Sequence, residues 1–178
     1  MRTKLISILG SAITITSALV APYLIKKPIK ALPVVQKSEY DVQAFRQSFF
    51  DAARVYGRAG CGDVALAEQT ARAAAKTGLP AAVIAAEIAV ESSCNPLAVS
   101  HDGGIGLTQV MPSIWASRYN SFRDKNLLKA EDSIDVGTAI LAENVSLYGL
   151  RAGIRHYNGS GPAAEIYATK VTALAGTR

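Results

Sequence analysis

From Asp41 onward the apolar residues recur at helical spacing, the segments are punctuated by glycine and proline, and none alternates convincingly with period two. That pattern restricts the chain to a mainly α domain, with at most a small β-hairpin near residues 100–110. Val42, Phe45, Phe49, Ala53 and Tyr56 share one face of a first helix, and Gly57 is its expected stop. Asp63 is placed to cap an alanine-rich helix that ends at Gly78. Pro80 suits the first turn of the next helix, which runs to about Cys94 and is ended by Asn95-Pro96. A polar loop over 95–106 holds Gly103, Gly104 and Gly106, and Pro112 opens a short helix. Asp132 is the expected cap of a longer helix, with Val136, Ile140, Leu147 and Tyr148 on or near its inner face and Gly149 at its end. A short helix over 150–157 breaks at Asn158-Gly159-Ser160-Gly161. Pro162 then starts the last helix, with Ile166 and Leu174 among its apolar positions.

A different kind of segment precedes this domain. Leu5 to Ile25 is 21 residues without a charge. As a helix it spans about 31 Å, close to the hydrocarbon thickness of a bilayer. It can be a signal peptide or an uncleaved anchor. The small-residue site at Leu19-Val20-Ala21 is followed directly by Pro22, and the apolar run is long for a signal peptide, so an N-terminal transmembrane helix is the preferred reading. Residues 1–25 are then a membrane anchor, 26–40 a stalk with Pro28 and Pro33, and 41–178 the folded domain. Lys26, Lys27, Lys30 and Lys37 outnumber Arg2 and Lys4, so the positive-inside rule slightly favours a cytoplasmic C-terminal side.

Composition narrows the function classes. Six of the 19 basic side chains lie in residues 1–37, which hold no acid, so the remainder is nearly neutral despite the net charge of +5. Basic residues around an apolar segment do not form a nucleic-acid face, and no nucleic-acid partner is expected. Two cysteines and two histidines, without HExxH or closely spaced ligands, argue against a metal site, and no cofactor is expected.

The helix over 80–93 is the most informative. Pro80, Ile84, Ile88 and Glu91 follow a 4-4-3 spacing and share a face, so Glu91 continues an apolar stripe in the last turn. Burial and the helix dipole both disfavour its charge there, and a carboxyl kept protonated near neutrality suits a general acid. Glu87 lies off this stripe and reads as a flank residue. On its own, a glutamate in a helix is usually solvated.

Glu91-Ser92 is followed by Asn95-Pro96, then by Gly104-Ile105-Gly106-Leu107-Thr108-Gln109-Val110-Met111-Pro112, and later by Tyr157-Asn158-Gly159. In this order and spacing, the motifs over about residues 60–175 resemble the lytic transglycosylase family with the goose-lysozyme-like fold. Leu128, Asp132 and Gly137 look like that family's helix before the Tyr-Asn element. The resemblance implies a lysozyme-like α domain with Glu91 as the catalytic acid/base. It implies that Ser92 lies beside the scissile bond, that Gln109 and Met111 line the sugar groove, and that Tyr157 orients the carboxyl and the sugar, with Asn158 on the same wall. Thr108 stands where the family usually has Met and would make a smaller, more polar groove wall.

The mechanism implied by the resemblance needs one carboxyl. Glu91 protonates the glycosidic oxygen between N-acetylmuramic acid and N-acetylglucosamine, then takes the proton of the muramic C6 hydroxyl as a 1,6-anhydro ring closes. Ordinary glycosidases use two carboxylates about 5–9.5 Å apart. Asp102, Asp124 and Asp135 are the candidates for a second one, none in a distinguishing context. Rival readings are a hydrolysing muramidase on the same fold and a non-catalytic wall-binding protein. Plain packing is the other reading for Gln109, Met111, Trp115 and Tyr157, while His101 reads as a loop residue and His156 as a flank residue. Cys61 and Cys94 could bridge if the domain lies outside the cytoplasm, worth roughly 3–4 kcal/mol in the chain-entropy picture; two free buried thiols are the alternative. The expected partners are peptidoglycan strands, the membrane through residues 5–25, and a secretion, conjugation or virion membrane complex. The expected location is the cell-wall side of the inner membrane, or the membrane of a phage virion.

Overall fold

The computed structural model describes residues 39–117 and 124–177. The chain divides into two units, Met1–Gln36 and Lys37–Arg178, and the described residues all belong to the second. The expected anchor lies outside them. So does the expected stalk, except for its last two residues, which already belong to the first helix. Among the described residues no helix is long and apolar enough to cross a membrane.

Among the described residues seven helices follow in order: α1 (Glu39–Ala59), α2 (Val64–Thr77), α3 (Ala81–Ser92), α4 (Pro112–Trp115), α5 (Ala130–Tyr148), α6 (Leu150–Asn158) and α7 (Pro162–Ala175). The only extended pairing among the described residues is a pair of isolated antiparallel bridges, Val99 to Ile105 and Ile105 to Val110. The domain is therefore mainly α and consistent with a lysozyme-like helical fold.

Local chemistry explains several boundaries. Asp63 Oδ1 accepts from the Ala65 and Leu66 amides at 2.8 and 3.4 Å, satisfying two orphan donors at the start of α2. Gly78 takes the left-handed conformation after the last turn. Pro80 is the residue before α3, and the left-handed Ser93 and Cys94 end it. Two expected boundaries shift. α1 runs through Gly57 to Ala59, since a glycine in an otherwise helical segment lowers its stability without breaking it. Asp132 is not the cap of α5: Lys129 holds that position, and Asp132 in the first turn accepts from the Asn126 amide and Lys125.

α3 sits at the centre, against α1, α2 and α7, while α5 packs on α2 and α6, and α6 on α7. Ala81, Val83, Ile84, Ala85, Ala86 and Ile88 are all buried, so α3 is enclosed on several sides and has no broad solvent face in its first two turns. The main core joins it to Ala52, Val55 and Tyr56 of α1, Leu66 and Ala67 of α2, and Tyr167, Ala168 and Val171 of α7. The buried face of α1 is thus displaced from the expected one, and Val42 is exposed. A smaller cluster, Val110, Leu127, Val136 and Ile140, lies under the loop before α4, and Tyr157 packs against both clusters. Leu147 and Tyr148, expected inside, are exposed at 60% and 51% because the last turn of α5 runs past the core.

Candidate active site

Glu91 stands in the last turn of α3, where the enclosed helix emerges into a cleft of about 530 Å³. Gln109, Met111, Tyr157 and Asn158 line the same cleft, so three separate sequence motifs converge there. Trp115, Ile114, Asp102 and His156 add to its walls.

Burial pushes the Glu91 carboxyl up from 4.5 to about 7, against a lowering influence of the Tyr167 hydroxyl. A carboxyl in that range can both give and take a proton near neutrality. Glu87 is not a flank residue. It is 1% exposed, and burial together with the Glu91 charge holds its carboxyl well above the usual range. It lies off the apolar stripe and is buried all the same, because α3 is covered on more than one face. Tyr157 donates its hydroxyl hydrogen to the Thr108 carbonyl at 2.8 Å. Burial and the two glutamates keep Tyr157 and Tyr167 as neutral phenols.

The loop over 95–111 is built to hold one shape. The Leu97 amide bonds to the Asn95 side chain at 3.0 Å, and Ser100 Oγ accepts from the Gly104 amide at 2.8 Å. Gln109, with φ of 49°, donates from Nε2 to the carbonyls of Gly106 and Ala98 at 2.8 and 3.2 Å. Its amide therefore braces the loop while its side chain lines the cleft. Thr108 does not form the groove wall expected of it. It is fully buried, with Oγ1 donating to the Ser133 carbonyl at 2.9 Å and its amide bonded to Ser133 Oγ at 3.2 Å. A short side chain fits there because Gly137 of α5 lies directly against it.

Ser92 is not brought to the cleft with the others. Its hydroxyl donates to the Ile88 carbonyl one turn back, at 3.0 Å. His156, by contrast, lines the cleft, stacked on Tyr148 at 4.1 Å and next to Arg155. Of the alternative carboxylates, Asp102 reaches the cleft but its side chain is 86% exposed, beside His101. Asp135 is paired with Lys76 and Lys125, in or beside a smaller cleft between α2 and α5 that also holds Glu68 and Arg72 as a 2.6 Å pair. Those charges satisfy one another, which makes that cleft a weaker candidate for chemistry.

Cys61 and Cys94 form a disulfide, with Cα atoms 5.9 Å apart. It ties the turn before α2 to the residue just beyond the C-terminal cap of α3, three positions from Glu91. Three residues at or behind this site were not expected there: His156, which lines the cleft and is not a flank residue, and Glu87 and Tyr167, which lie beside Glu91. A signal existed for Glu87, since it and Glu91 are the only charged residues of α3. No comparable signal marks Tyr167, one tyrosine among the apolar residues of α7.

In this helical domain one raised carboxyl stands at the head of a cleft, with tyrosines around it, placed to give and take a proton near neutrality. The family profile described as Transglycosylase SLT domain matches residues 68–170, more than half of the chain, and the chain belongs to that family. Membership makes it a domain of the peptidoglycan lytic transglycosylase type. No curated protein and no solved structure gives a significant match.

Proposed function

We propose that the protein cleaves the β-1,4 bond between N-acetylmuramic acid and N-acetylglucosamine with formation of a 1,6-anhydro ring. The observation that carries this reading is Glu91, a single carboxyl raised to about 7 at the wall of the cleft. In this scheme Glu91 gives its proton to the glycosidic oxygen as the C1–O bond breaks, and the substrate's N-acetyl group supports C1. The Glu91 carboxylate then takes the proton of the C6 hydroxyl, whose oxygen bonds to C1. No water is consumed, and Glu91 ends as it began. Gln109, Met111 and Asn158 hold the sugars, Tyr157 holds the wall behind Glu91 through the Thr108 carbonyl, and the Tyr167 hydroxyl acts on the Glu91 carboxyl itself.

Asp102 on the cleft wall favours one second reading, a hydrolysing muramidase in which that carboxylate activates water. Mass spectrometry of muropeptides released by the full chain separates the two. Anhydro-muramic products that vanish in Glu91→Gln are expected. Reducing-end products would transfer the protein to the hydrolases, and no release by folded protein would leave a wall-binding role.

The wider reading is a domain on the wall side of a membrane, anchored through residues 5–25, opening the wall locally for a secretion or conjugation apparatus or for genome delivery from a phage particle. The Cys61–Cys94 disulfide supports the extracytoplasmic side, since such bonds persist in oxidising compartments.

A further inference from the structure

One carboxyl in the core takes no proton-transfer step in this chemistry. Glu87 lies a helical turn before Glu91, fully buried, and neither of its carboxyl oxygens meets a hydrogen-bond partner among the described residues. The ionisable groups bearing on it are Glu91 on its own helix, Tyr56 from α1, Tyr157 from α6 and Tyr167 from α7. None is basic. A buried carboxyl without a cation takes up a proton in preference to holding a charge.

Tyr157 is the neighbouring hydroxyl that lowers the Glu87 carboxyl, against the larger effects of burial and the Glu91 charge, and its own hydrogen bond fixes which of the two can donate to the other. A phenol has one hydrogen to give, and that of Tyr157 goes to the Thr108 carbonyl, which can only accept. Toward Glu87 the Tyr157 oxygen can therefore only accept, and only a protonated carboxyl has a hydrogen to offer it. We propose that Glu87 is a positioning residue: kept as the neutral acid, it donates to the Tyr157 oxygen and completes a chain from α3 through α6 to the Thr108 carbonyl behind the cleft wall. This chain sets the register between Glu91 and the Thr108–Gln109 segment. It also leaves Glu91 as the only carboxyl of the pair that changes charge during turnover. The role in catalysis rests on the glycan-cleaving reading of Glu91.

Two arms test it on the full chain. Infrared difference spectra of Glu91→Gln against the Glu91→Gln/Glu87→Gln double variant, at about pH 7, where an ordinary glutamate is ionised, should show a protonated carboxyl band that the second substitution removes. Absence of that band overturns the proposal, whatever the protein's activity. The kinetic arm compares Glu87→Gln, which can still donate to Tyr157, with Glu87→Met, which cannot. Glu87→Gln should rescue the site, with the basic limb of the pH–rate profile within about 0.3 units of wild type, and Glu87→Met should lose about tenfold or more in kcat. A basic limb lowered by about one unit in Glu87→Gln would mean that an anionic Glu87 had been raising Glu91, and would overturn the proposal. So would a wild-type kcat in Glu87→Met. Should the methionine variant not fold, the infrared and glutamine arms decide. If wild-type protein releases no glycan fragment, the function fails while the infrared band still judges Glu87.

Discussion

Glu91 shows how one side chain is given its chemistry by its place on a helix. Its raised value has a consequence for stability as well as for activity. Between 4.5 and about 7 the folded protein holds a proton that the unfolded chain has released, so stability falls as pH rises through that window. The loss is on the order of 2–3 kcal/mol, reduced by the group's partial exposure. Glu91→Gln is expected to flatten this part of the dependence of the melting temperature on pH, leaving the portion that Glu87 contributes in the same direction. An unchanged slope would show that Glu91 titrates as an ordinary surface acid. Activity should fall as pH rises through about 7, because the first step needs the protonated form. The 4-4-3 spacing made Glu91 legible, since it joins an apolar stripe. Ser92 follows it in the same motif, yet its hydroxyl turns back to Ile88, a competition between side chain and backbone that spacing cannot foresee.

The elements around Glu91 are held together by a strap and a staple. The strap is Thr108, fixed to Ser133 and lying against Gly137. A Cβ added at Gly137 would stand 2.4 Å from the Thr108 Cβ and Oγ1, so the loop and α5 must separate. Gly137→Ala should destabilise the domain by about 1–3 kcal/mol in urea unfolding and lower activity, since the same loop carries Gln109 and Met111. Wild-type stability in this variant would show that the loop moves freely. The staple is the disulfide, which closes a sequence separation of 33. Replacing both cysteines by serine should cost about 2–4 kcal/mol in the same measurement, with the additional loss of a fixed end for α3. Helix starts and stops in this region were readable because capping is local: Asp63, Gly78 and Asn95-Pro96 act within a few residues of themselves. Thr108 was not, because its surroundings come from α5, 25 residues away at Ser133.

For the whole chain, the disulfide and the charge count around residues 5–25 pull in opposite directions, and a reporter decides between them. An alkaline phosphatase domain fused after Arg178 should be active in intact bacteria if the domain faces the wall. Activity only of a cytoplasmic reporter at that position would reverse the orientation, and with it the access to peptidoglycan.

By itself the sequence determined what depends on near neighbours and on period. These are a mainly helical domain, most of its boundaries, the position of Glu91 on an apolar stripe and the order of the motifs that bear the family likeness. Tertiary structure decided what depends on enclosure. It made α3 a central helix, so that Glu87 is buried beside Glu91, and it brought Tyr157 and Tyr167 to the same carboxyls from two other helices. It turned Thr108 from a groove wall into a buried strap, and it joined Cys61 to Cys94. The physical reason is common to all of these. A side chain's burial and partners are set by whatever packs across from it, and those surfaces come from distant parts of the chain.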